Sequence, residues 1–158
     1  MTTSWPKLAA GAMIAGLFVL TAGIVNNALA HKGATGIVMK RMMAMKDMGD
    51  GMKSLAAMVT GKVPFASPKI KEIAVSLKGH AADIPGLFPK GSVKGPSEAT
   101  PAIWKNWAEF QRIAKDLEDL AGQLEGDASN SKPAALALFA KIGKSCSGCH
   151  QDYRKKKE

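Results

Sequence analysis

Residues 100–124 read TPAIWKNWAEFQRIAKDLEDLAGQL, and their apolar positions decide the fold class. Ile103, Trp107, Phe110, Ala114, Leu117, Ala121 and Leu124 recur at alternating spacings of four and three. That spacing places them on one stripe of an α-helix, the seam of a helical bundle. Thr100-Pro101 opens the helix as a cap followed by a proline at its first position.

The same grammar repeats on either side. Ser67-Pro68 opens a preceding helix whose stripe is Ile70, Ile73 and Leu77. Before it, Val38, Met42, Met45, Met48, Met52, Leu55 and Val59 predict a first helix over about Thr35–Gly61, ended by Gly61 and Pro64. The stretch from Ala82 to Ala99 holds Pro85, Gly86, Pro89, Gly91, Gly95 and Pro96, so it is expected to be irregular. After the polar loop Gly126–Lys132, Pro133 opens a last helix with the stripe Leu136 or Ala135, Phe139, Ile142, Cys146, Cys149 and Tyr153. No segment carries a strand signal and no repeat is present. The expected fold is all-α, an antiparallel up-and-down four-helix bundle.

The chain has 158 residues and a formal net charge of +9. Residues 1–30, MTTSWPKLAAGAMIAGLFVLTAGIVNNALA, have the form of a secretory signal. Lys7 is followed by an uncharged apolar run from Leu8 to Val25, and Ala28-Leu29-Ala30 is a small-x-small cleavage site. An uncleaved membrane anchor is the alternative, because the run is about long enough to span a bilayer. Cleavage removes one lysine and no acid and leaves residues 31–158, a single domain of 128 residues with charge +8. That is enough chain for a core without disulfide staples. Export to the periplasm is the expectation, and in that oxidising compartment two spare cysteines would pair unless other chemistry used them.

Those two cysteines, the only ones in the chain, lie in Cys146-Ser147-Gly148-Cys149-His150. Cys-x-x-Cys-His is an attachment signature for c-type haem. On a helical turn the two thiols share one side and can add to the two vinyl groups, and the adjacent imidazole can reach the iron. A dithiol redox site would want a strand–helix context. A zinc site would want further ligands, and only His31 and His80 remain. The motif therefore predicts one covalently bound haem c, held by Cys146 and Cys149, with His150 as an axial iron ligand.

The chain resembles the class II cytochromes c, the cytochrome c′ group and its low-spin cytochrome c-556 members, over nearly all of residues 31–158. Three stretches carry the resemblance. CSGCHQDYRKKK is similar to the family ending, IWKNWAEF to the opening of its third helix, and RMMAMKDMGDGMKSLAAMVTGKVPF to its first helix. In that first helix an arginine precedes, by four residues, the side chain that faces the iron. The resemblance implies that Met45 faces the iron and that Arg41 and Arg154 sit at the haem edge or its propionates. Lys40 stands where the family often has an aromatic residue.

Met45 separates two functions. Methionine opposite histidine suits one-electron transfer, whereas an open distal side suits binding of nitric oxide or carbon monoxide, as in high-spin cytochrome c′. Seven of the nine methionines fall between Met39 and Met58, so spacing alone gives most of them a packing role. Met42 and Met48 are the neighbouring candidates. A Cu(I) site is the remaining use for clustered thioethers. The expected function is that of an exported electron carrier that transforms no substrate.

Trp107 and Phe110 are expected to face inward, with Trp104, Phe139 and Tyr153 as further candidates beside the haem. Lys144, Arg154 and Lys155–Lys157 form a basic patch around the attachment site, suited to an acidic redox partner; nucleic acid is not expected of an exported haem protein, despite the charge. His80 is expected on the surface. The resemblance also allows a homodimer through the first two helices.

Overall fold

The computed structural model describes Met1 and residues 33–156. Apart from Met1, the expected signal segment 1–30 lies outside the described residues, as do His31 and Lys157. Four long helices form the body. They are α1 (Gly36–Val59), α2 (Ser67–Asp83), α4 (Trp107–Glu125) and α5 (Lys132–Tyr153), with α3 (Ala102–Lys105) a single turn before α4. Each long helix packs on its sequence neighbour, and α5 closes the ring on α1. This is the expected four-helix bundle. The described residues contain no strand, only one isolated antiparallel bridge between Ala99 and Arg154.

Local chemistry sets the helix ends. Gly61 takes φ +81, a conformation that side-chain-bearing residues rarely adopt. Gly61 N then donates to Met58 O at 3.2 Å and Lys62 N to Ala57 O at 2.9 Å, the paired bonds of a Schellman end. At α5, Ser131 Oγ accepts the Ala134 N–H at 3.4 Å, with Pro133 in the first turn. Ser67 lies inside α2 and Ala66 holds the cap position, one residue earlier than expected.

The single helix expected from Thr100 is broken at Asn106 (φ −120, ψ 42). The break interrupts the expected stripe. Ile103 and Phe110 are 1% and 2% exposed, while Trp107, on the same expected stripe, is only half-buried. The connection between α2 and α3 is irregular as expected, apart from a 3-10 turn at Pro85–Leu87.

The core runs down the bundle axis through Leu55, Ile70, Leu77, Leu124 and Ile142. Burying each such side chain is worth about 1.5–3 kcal/mol. Two expected stripes shift. On α5, Ala135 and Leu138 are buried while Leu136 is 45% exposed. On α1, Met48, Leu55 and Val59 are buried, and so are Arg41, Ala44 and Met58. Val38 and Met42 are half-buried. The N-terminal part of α1 turns Arg41 toward the connection between α2 and α3. Periodicity of apolar residues could not reveal this, because the buried residue is charged.

Candidate functional site

A cavity of about 400 Å³ opens between α1, α4 and α5. From α1, Met45, Met48, Gly49 and Met52 face it, spaced to share one side of the helix. From α4 come Phe110, Ile113 and Leu117. From α5 come Phe139, Gly143, Cys146, Cys149 and His150, the same helical face read over three turns. The wall is almost wholly apolar, as expected of a site that takes a large flat apolar group.

Two glycines make the room. A Cβ added at Gly49 or at Gly143 would meet nothing within 4 Å. Glycine within a helix costs about 1 kcal/mol relative to alanine, so each weakens its helix while widening the cavity. Together with two thiols three residues apart and an adjacent imidazole, this donor set fits a c-type haem. Among the described residues no three His, Cys, Asp or Glu side chains are grouped to hold a metal ion, so the zinc alternative has no ligand cluster.

The electrostatics agree with that chemistry. Burial pushes the Cys149 thiol up to about 11, with Cys146 and Asp152 adding to it. Burial also raises Cys146. Burial lowers His150, Arg154 lowers it further, and Glu98 partly opposes both. These shifts favour the neutral imidazole, whose lone pair can bind a metal.

The structure thus brings Met45, Cys146, Cys149 and His150 to one cavity. Met48 shares the wall, whereas Met42 lies off it. Phe110 and Phe139 line the cavity. Trp107, Phe88 and Tyr153 instead stack around Phe110, with ring centroids 5.5, 5.1 and 5.3 Å away. Trp104 donates its indole N–H to Phe88 O at 3.0 Å. His80, expected on the surface, is half-buried, with its Nε2 4.0 Å from Asp47 on α1.

Neither arginine is on the described cavity wall. Arg41 is 5% exposed and stacks 4.2 Å from the centroid of Phe88. Both its terminal nitrogens donate to serines of the 92–97 segment. Its Nε is buried without a partner. Arg154 pairs with Glu98 on the same segment, Nε to Oε2 at 2.7 Å. Sequence reasoning missed Gly49, Gly143, Ser92, Ser97 and Glu98. Small and polar residues carry no periodic signal, although mid-helix glycine was a usable hint.

Comparison with known proteins agrees with this architecture. A family model described as cytochrome C′ matches residues 36–154. The chain is 35% identical over 124 residues to cytochrome c-556 of Agrobacterium fabrum, covering 78% of this chain and 84% of that protein. It is 30% identical over 147 residues to cytochrome c′ of Rhodopseudomonas palustris, covering 92% and 96%. Among solved structures it is similar to a nitric oxide complex of a cytochrome c prime variant from Alcaligenes xylosoxidans. That match has 30% identity and a TM-score of 0.69, and covers 77% of this chain and 94% of the other. The chain therefore belongs to the cytochrome c′ family, the four-helix-bundle cytochromes that carry one covalently attached haem c.

Proposed function

We propose that residues 31–158 form an exported, periplasmic one-electron carrier. In it Cys146 and Cys149 hold the haem, His150 binds the iron on one face and Met45 binds it on the other. One juxtaposition carries this reading: Met45 lies on the same apolar cavity wall as the Cys-x-x-Cys-His turn, on the facing helix. When bound, the haem supplies a one-electron iron couple.

The chain's own residues tune that couple. A thioether opposite an imidazole favours the reduced state and raises the potential. The walls from Phe110, Ile113, Leu117 and Phe139 exclude water. The unpartnered Arg41 Nε is a donor left over for a haem-edge carboxylate. Lys141, Lys144, Lys155 and Lys156, exposed near His150, would steer an acidic redox partner to the attachment side. Among the described residues no helix is long and apolar enough to cross a membrane. Met43 and Val75, 43% and 50% exposed on α1 and α2, are the apolar side chains open to a homodimer of the family type.

The optical spectrum of the haem-loaded protein tests this. A low-spin spectrum that carbon monoxide barely changes in the reduced state supports the Met45 ligand. A high-spin spectrum that carbon monoxide shifts strongly overturns it. The outcome would then favour the second reading, a binder of nitric oxide or carbon monoxide. Its support is the likeness to the nitric oxide complex from Alcaligenes xylosoxidans.

A further inference from the structure

The connection between α2 and α3 crosses the end of the bundle where α1 begins and α5 stops. It is tied to both helices that carry the axial candidates. On the α1 side the tie is Arg41, one turn before Met45. Arg41 Nη1 donates to Ser97 Oγ at 3.2 Å, and Nη2 donates to the carbonyl and hydroxyl of Ser92, each at 3.0 Å.

On the α5 side the ties start one turn after His150. Thr100 N donates to Tyr153 O at 2.9 Å, and Lys155 N to Glu98 O at 2.7 Å. Lys155 Nζ donates to Ser97 O at 2.8 Å, and Arg154 pairs with the Glu98 carboxylate.

Ser97 is where the two sets meet. Its side chain bonds to α1 and its carbonyl to the residue that follows α5 by two. It is 3% exposed, a buried polar residue. Its Oγ also accepts the Ala99 N–H at 3.2 Å, so two donors converge on that oxygen. Along the cavity α1 and α5 face each other across open space. The two helices touch elsewhere, and beside the cavity these hydrogen bonds tie them together at one end.

We propose that Ser97 is a positioning residue for the axial pair. Through Arg41 and Lys155 it holds the turn carrying Met45 at a fixed reach from the turn carrying His150, a role that presupposes Met45 on the iron. Without the Ser97 hydroxyl, Arg41 and Ala99 lose an acceptor in a buried place. The α1 turn then shifts more freely, and the population with Met45 off the iron rises. A gas ligand that competes with Met45 binds only that population, so its apparent affinity rises in proportion.

The test compares haem-loaded wild type, Ser97→Ala, Ser97→Cys and Met45→Leu by oxidised optical spectrum, carbon monoxide affinity when reduced, and circular dichroism. The expected wild type is low-spin and Met45→Leu high-spin. Ser97→Ala keeps its helicity, gains a partial high-spin spectrum and binds carbon monoxide about tenfold more tightly than wild type. Ser97→Ala matching wild type in both readouts, beside a changed Met45→Leu, overturns the Ser97 role alone. Wild type and Met45→Leu sharing one high-spin spectrum overturns the ligand assignment and the Ser97 role with it. If Ser97→Ala fails to fold, Ser97→Cys, whose thiol is a weaker acceptor at the same place, decides instead. A shift of its spectrum toward high-spin supports the role, and an unchanged spectrum overturns it.

Discussion

Each residue of Cys-x-x-Cys-His has a separate task. In the proposed site two thiols fasten the group from one helical face, and an imidazole beside them offers its lone pair. The sequence named this part of the candidate site, and the structure places all three side chains on one cavity wall, because the covalent chemistry fixes residue type and spacing together. Met45 was not legible from spacing, since Met42 and Met48 obey the same periodicity. Only resemblance singled it out, and the cavity wall admits Met45 and Met48 while leaving Met42 aside. Met45→Leu keeps volume and apolarity, so its packing cost in thermal unfolding should stay below about 1.5 kcal/mol, with any further loss due to the missing iron ligand. The oxidised spectrum should nevertheless become high-spin. A variant that stays low-spin would pass the ligand role to Met48. Arg41 illustrates the opposite difficulty. Its surroundings come from residues 88–97, about fifty positions away, and no local pattern could announce them.

At the scale of elements, periodicity found every long helix, and it erred where an element meets something irregular. The seam of residues 103–124 ran straight through Asn106, where the backbone leaves the helix. Asn106 is a favoured type of helix cap and could have marked the break, but the apolar spacing running through it hid the signal. On α5 the two readings of the stripe differ by one residue, and the packing selects the face with Ala135 and Leu138. Leu138→Ala should therefore cost about 2–5 kcal/mol in denaturant unfolding, and Leu136→Ala less than about 0.5 kcal/mol. Equal costs would contradict the register. Gly143 marks where α5 yields space to the cavity. Gly143→Leu places a side chain in that space, so the purified protein should remain helical by circular dichroism yet carry markedly less haem per chain. Full haem occupancy would mean that the void beside Gly143 is not part of the haem site.

The whole molecule joins a bundle with a gap in one side to a positively charged surface. A group that fills the gap should stabilise the fold. Ser substitutions at both Cys146 and Cys149, which block covalent attachment, should lower the melting temperature by about 10 °C or more, because a ligand of the native state alone stabilises it. A melting temperature unchanged by this substitution would show that the four helices need nothing between them. The charge acts over longer distances. Reduction of the haem-loaded protein by an anionic complex should slow several-fold as ionic strength rises from about 10 mM to about 500 mM, the range over which screening shortens from tens of ångströms to a few. Lys144→Glu together with Lys155→Glu should flatten that dependence in stopped-flow traces. A salt dependence untouched by these changes would remove the basic patch from partner docking.

One claim bears the most weight: that the iron is held between His150 on α5 and Met45 on α1. X-ray absorption at the iron edge of the oxidised, haem-loaded protein tests it most directly, because it reports the atoms bound to iron. The prediction is six ligands, five nitrogens and one sulfur, with the sulfur lost in Met45→Leu. A shell of five nitrogens with no sulfur in the wild-type protein would contradict it. The distal side would then be open, and the chain would be a gas-binding cytochrome.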